Sequence, residues 1–190
     1  NPSTHVPTPI NERFLDKAGM VEVVDDELYL REPHAILETF LLFQKTIGVK
    51  EIEAAFPSAS QPDFDFVRKL IEEGHIPDDV TIEVLAPARE AFIRRTFESL
   101  KGARRAIVHI YNATSKPFRE IVFGMQMREV IELAVSAVRL VRQLSEENPE
   151  TEWVLEYSPE TFTATELDFA LEICNAVTET WGATPERKVI

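Results

Sequence analysis

The stretch Lys50-Glu51-Ile52-Glu53-Ala54-Ala55-Phe56-Pro57-Ser58-Ala59-Ser60-Gln61-Pro62-Asp63-Phe64-Asp65-Phe66 changes its period in the middle. From Glu51 to Phe56 side chains alternate as on a strand; beyond the Pro57-Ser58 corner the apolar residues take helical spacing. Strand, corner and helix start make half of a βα unit, and the pattern recurs on the C-terminal side. Strands are expected at Val21–Val24, Glu51–Phe56, Thr81–Leu85, Ala106–Tyr111 and Trp153–Tyr157. Helices are expected at Ala35–Thr46, Phe64–Glu73, Arg89–Leu100, Arg128–Leu144 and Glu166–Trp181. Asp63 is placed to cap the second helix, while Gly74 and Gly102 stand where helices should stop. Lys188-Val189-Ile190 reads as the start of a further strand. Residues 1–18, with Pro2, Pro7 and Pro9 among polar neighbours, read as an extended arm, which leaves 19–190 as the folded domain.

Strand parity decides the architecture, because residues two apart share a face of the sheet. Glu51, Glu53 and Ala55 share one face; so do Thr81, Glu83 and Leu85, then Ile107, His109 and Tyr111, then Glu156 and Ser158, with Glu160 just beyond. The other face carries Ile52, Ala54, Phe56, Ile82, Val84, Val108, Ile110, Trp153, Leu155 and Tyr157. A sheet covered by helices on both sides would bury the carboxylates and the histidine at high cost, whereas a barrel turns them toward a hydrated lumen. The expected class is therefore α/β, an incomplete (β/α)8 TIM-type barrel of about five βα units, since closure takes eight strands and roughly 200 to 250 residues.

Composition removes several functions. A chain of 190 residues, 44% hydrophobic with a net charge of −13, has enough apolar mass for one core and offers nothing to a phosphate backbone or an anionic membrane. Nucleic-acid and membrane partners are not expected. Its single cysteine, Cys174, lies in an apolar helical pattern and is expected to be a small buried hydrophobe, in keeping with an intracellular, cytoplasmic setting. No apolar run reaches the length of a membrane span, and no signal-peptide pattern opens the sequence.

Among residues that can carry chemistry, His109 stands out, since it faces the same side as Glu53, Glu83 and Glu156. The plainer alternative is a core histidine satisfied by one of those glutamates. Ser158 and Glu160 flank Pro159 after the fifth strand, at the rim where barrel enzymes keep reactive groups; a turn and helix cap is the alternative. Thr163 or Thr165 ahead of Glu166 accounts for helix initiation without Glu160. Tyr111, Asn112, Thr114 and Ser115 suit a small carboxylate or carbonyl, or ordinary loop bonding. Asp25-Asp26-Glu27 has no His or Cys at ligand spacing and reads as a solvated turn. His5, His34 and His75 suggest nothing specific, and no Gly-rich phosphate loop, nucleophile elbow or CxxC pair is present.

The quoted stretch, together with Arg105-Ala106-Ile107-Val108-His109-Ile110-Tyr111-Asn112-Ala113-Thr114-Ser115 and Glu156-Tyr157-Ser158-Pro159-Glu160, resembles the 2-isopropylmalate synthase family from about Ile47 to Ile190. The resemblance implies a metal-dependent barrel that condenses acetyl-CoA with 2-oxoisovalerate in leucine biosynthesis, using Mg or Zn to polarise the keto group. Carried over onto this sequence, Leu85 meets the apolar side chain of the substrate, His109, Ser158 and Tyr111 lie around the keto acid, and Glu160 acts beside the reacting groups. The family's Leu-Arg-Asp-Gly-Asn-Gln motif is absent. Aligned without gaps it falls on Glu22 and Val23; with a gap it falls on Leu30-Arg31-Glu32, which makes Arg31 the catalytic arginine and Glu32 the metal ligand, with Pro33 in place of glycine. The family's His-x-His ligands would lie past position 190, so the chain alone is expected to be inactive as a truncated form. Two other readings stay open: a half-barrel that pairs with a second copy or a complementary partner through its strand edges, and a keto-acid binding module without turnover.

Overall fold

A computed structural model describes residues 21–24, 27–30 and 48–190. The chain divides into two units, Asn1–Val49 and Lys50–Ile190. In the first, β1 (Val21–Val24) pairs antiparallel with β2 (Glu27–Leu30), Val21 opposite Leu30 and Val24 opposite Glu27. The strand expected at Val21–Val24 is present, but its partner is the next few residues of chain and not a parallel barrel strand. The expected arm, the helix at Ala35–Thr46, and Arg31 and Glu32 lie outside the described residues.

The second unit repeats strand and helix four times. β3 (Glu51–Ala55), α1 (Gln61–Glu72), β4 (Thr81–Pro87), α2 (Glu90–Leu100), β5 (Arg105–Ala113), α3 (Met127–Glu147), β6 (Glu152–Glu160) and α4 (Leu167–Trp181) follow in order. The strands form one parallel sheet in the order β3-β4-β5-β6, and each helix packs on the strand that precedes it and on its neighbouring helices. This is the arc of an incomplete barrel. Val189 adds a parallel bridge to Leu155 on the outer edge of β6, with Ile190 N–H donating to Leu155 O at 2.9 Å, so the further strand anticipated at Lys188-Val189-Ile190 does begin there.

The two-faced strand pattern is realised. Ile52, Ile82, Val84, Ala106, Val108, Ile110 and Leu155 are buried on the face beneath the helices, against Phe66, Val67, Ile93, Val130, Val138 and Ile173. On the opposite face Glu83, Leu85, His109, Tyr111, Glu156 and Ser158 are half-buried, and Glu53 and Glu160 are exposed. Burial of branched aliphatic side chains at about 1.5–3 kcal/mol each drives the assembly, so the open face is spared that task.

Three local expectations are corrected. Ser60, not Asp63, caps α1: its hydroxyl accepts from Asp63 N–H at 3.2 Å, because Pro62 at the helix start shifts the first turn forward. Neither Thr163 nor Thr165 caps α4, which starts after a 3-10 turn at Phe162–Ala164 with no side-chain cap. Cys174 is half-buried, its thiol pushed up by that burial. Gly74 and Gly102 adopt left-handed φ values of 69° and 87° after α1 and α2, the conformations that made them helix stops.

Candidate functional site

Three consecutive register rows bring the sequence candidates together. Leu85 stands beside His109 and His109 beside Glu156; one row higher Pro87, Tyr111 and Ser158 are neighbours; above them Ala113 pairs with Glu160. Because the strands are parallel, all the C-terminal ends lie at one rim, and Leu85, His109, Tyr111, Ser158 and Glu160 share the open face.

His109 is the centre of this face. Nε2 lies 2.7 Å from Ser158 Oγ, and Nδ1 lies 3.1 Å from Glu83 Oε1, 3.5 Å from Glu156 and 3.7 Å from Glu53. Burial lowers the imidazole pKa, but the hydrogen bond to Glu83 and the charges of Glu156, Glu83 and Glu53 outweigh it and hold His109 above its ordinary value. Glu156 is shifted the other way from most surface carboxylates: burial raises it, His109 opposes, and Glu83 and Glu53 raise it further. One ligand atom each from Glu53, Glu83 and His109 lies within 4.8 Å of the others, a donor set that fits a divalent ion. Both the reactive histidine and its plainer alternative are therefore present at once, since Nδ1 is satisfied by carboxylates while Nε2 and Ser158 look toward the rim.

Tyr111 lies under the rim, its ring 6.3 Å from Phe56 in an edge-on arrangement, and burial followed by the charge of Glu160 pushes its phenol up, so it stays a donor. The other members of the expected polar cluster are committed elsewhere. Asn112 is buried on the helix side, accepting from Tyr157 O–H at 2.9 Å. Thr114 and Ser115 are buried in a hydrogen-bonded knot that joins the ends of β5 and β6. Thr114 N–H and its hydroxyl both donate to Glu160 O at 3.0 Å, the Thr161 hydroxyl accepts from Ser115 N–H at 3.1 Å, and Thr165 Oγ1 lies 2.7 Å from Thr114 Oγ1. The knot holds Thr161 at a left-handed φ of 59°, which costs a β-branched residue about 1–2 kcal/mol. Arg119, in a π-helical turn at Phe118–Phe123, donates to Thr114 O and grips Glu166 through both terminal nitrogens at 2.8 and 2.9 Å. Sequence reasoning missed Arg119, Thr161 and Thr165; no periodicity joins residues 47 apart such as Arg119 and Glu166, and the only available hint was an arginine set among apolar neighbours.

A protein-family model described as HMGL-like matches residues 36–185. Among curated relatives, a protein named 2-isopropylmalate synthase from Ralstonia nicotianae is 65% identical over 144 residues, 76% of this chain and 25% of its own length. One of the same name from Pseudomonas putida strain W619 is 56% identical over 172 residues, 90% of this chain and 29% of its own length. The chain thus spans about a quarter of the length of the curated relatives it matches. HMGL-like proteins are metal-dependent TIM-barrel proteins, in agreement with the parallel sheet and the carboxylate-imidazole cluster found here. A match over that stretch, carried by the same strands and rim residues that the geometry singles out, shows that this chain belongs to the HMGL-like family.

Proposed function

We propose that this chain carries the keto-acid side of a site that condenses acetyl-CoA with 2-oxoisovalerate, the 2-isopropylmalate synthase reaction. The observation that supports it most is the His109–Ser158 pair at 2.7 Å, set between Leu85 on the neighbouring strand and Glu160 two residues further along β6. Leu85 is the apolar contact for a branched side chain. His109 Nε2 and Ser158 Oγ orient the keto and carboxylate oxygens, and Tyr111 adds a neutral donor beside them. Glu160, exposed at the rim, is the group that moves or holds a proton at the acetyl carbon.

A divalent metal, Mg or Zn in this reading, supplies charge stabilisation at the keto oxygen when bound. By the Leu30-Arg31-Glu32 wording we assign Arg31 to the developing enolate and Glu32 to metal. The setting that goes with this reading is cytoplasmic; among the described residues no helix is long and apolar enough to cross a membrane.

The test is titration of the purified chain with 2-oxoisovalerate and with pyruvate, followed by isothermal calorimetry. Saturable binding that favours the branched acid, weakened at least about tenfold by Ser158→Ala and narrowed in preference by Leu85→Ala, supports the reading. Equal affinity for the two acids, or indifference to Ser158→Ala, removes it. Thiol release from acetyl-CoA with 2-oxoisovalerate and added divalent metal, with Glu160→Gln as control, then reports whether the chain alone turns over; the expected outcome is none.

A further inference from the structure

On the side of His109 away from Ser158, three strands present donors to one point. Glu53 of β3 and Glu83 of β4 are direct register partners, and His109 of β5 projects its Nδ1 between them. A divalent ion about 2.1 Å from each ligand sets adjacent ligand atoms about 3.0 Å apart in an octahedron and about 3.4 Å apart in a tetrahedron. Here Nδ1 is 3.1 Å from Glu83 and 3.7 Å from Glu53, so shifts of a few tenths of an ångström bring both onto such a polyhedron.

The surroundings meet the other requirements of a cation site. A ligating imidazole normally has its second nitrogen fixed by a hydrogen bond, and Nε2 has Ser158 Oγ at 2.7 Å, which lets Nε2–H donate and turns the Nδ1 lone pair toward the two carboxylates. Glu156, 3.5 Å from Nδ1, adds a third negative charge, and among the described residues His109 is the sole cationic partner of all three glutamates. The side chains of Glu83 and His109 are 14% exposed and that of Glu53 is 54% exposed, so the donors stand on rigid strands while the Glu53 side stays open for an ion to enter with its water. One nitrogen and two carboxylate oxygens suit Zn, Mn or Co better than Ca or Mg.

We propose that Glu53, Glu83 and His109 Nδ1 form a divalent transition-metal site on the inner side of the sheet, made of residues other than Arg31-Glu32 and independent of whether the chain binds a keto acid. Its role is to neutralise the inner face and fix the ring whose other nitrogen faces Ser158.

Metal-free protein titrated with Co(II) tests it, read by visible absorption and calorimetry. The expected result is one saturable site per chain with a ligand-field band, weakened roughly tenfold or more by His109→Gln, by Glu83→Gln and by Ser158→Ala. Glu51→Gln, an exposed change on the same strand as Glu53, should leave affinity unchanged. No saturable binding below about 1 mM, about the weak limit of specific oxygen-ligand cation sites, overturns the proposal. Equal losses in Glu51→Gln and Glu83→Gln overturn it too, since they mean diffuse attraction by an acidic surface. If His109→Gln does not fold, the wild-type imidazole resonances decide: a paramagnetic shift of His109 greater than that of His75 supports the site, and the reverse refutes it.

Discussion

Replacing Glu156 by Gln should make the protein more stable at neutral pH. Around the protonated His109 ring stand Glu53, Glu83 and Glu156, so the cluster carries two more negative than positive charges. Glu156 is attracted once, by His109, and repelled twice. At an effective dielectric near 20, charges about 4 Å apart interact by about 4 kcal/mol, and one such repulsion is left uncancelled. The Glu156 side chain is 21% exposed and that of Glu53 54%, so solvent screening cuts the net penalty to roughly 1 kcal/mol. The sign follows from linkage. The folded pKa of Glu156 is raised, so ionising it costs stability above that pKa, and the cost is absent below the unfolded value of 4.5. Urea melts in low salt should show the Gln variant gaining about 1 kcal/mol at pH 7.5, a midpoint shift of about 0.5 M, and no gain near pH 4. Loss of stability at pH 7.5 would refute the charge count by showing that attraction to His109 dominates, and an equal gain at both pH values would show that charge is not the cause.

Acid should loosen the joint between the π-helical turn and α4: Arg119 holds Glu166 at about 2, so that contribution is complete above pH 4.5 and is lost as pH falls through about 2, and Glu166→Gln should flatten this step in an acid melt followed by circular dichroism. Ile110→Ala, fully buried in the central region of the sheet, should cost about 2–5 kcal/mol in urea unfolding. Tyr157→Phe strips the buried Asn112 oxygen of its donor at 2.9 Å and should cost about 1–3 kcal/mol, most of it recovered if Asn112 is also changed to Leu.

Strand parity was legible because its cause is local: alternate side chains of β4 and β5 either pack under helices or face the lumen, and Glu83, His109 and Val108 declare their sides by polarity alone. Strand ends were less so. β4 runs to Pro87, β5 to Ala113 and β6 to Glu160, two or three residues past the last expected position, because ladder pairs such as Asn112 with Pro159 continue after the apolar pattern stops. Asn112, Thr114 and Ser115 misled for a related reason: whether a polar residue serves a ligand or a neighbouring loop depends on partners about 45 residues away. The β1–β2 hairpin had a readable signal that was passed over, since Asp25-Asp26 between two short alternating runs is turn chemistry.

The knot at the ends of β5 and β6 has a consequence for motion. Three donors converge on the carbonyl of Glu160, one amide and two hydroxyls, and a fourth bond ties Ser115 to Thr161. Opening that peptide to solvent means breaking several bonds at once, so the amides of Thr114 and Ser115 should exchange with deuterium on the slow timescale of strand interiors although they lie past the last strand pair. A molecule arriving at the rim meets a carboxylate whose backbone is already immobile. The freedom given up to place Glu160 was surrendered at folding, which leaves less disorder to remove at the moment of encounter.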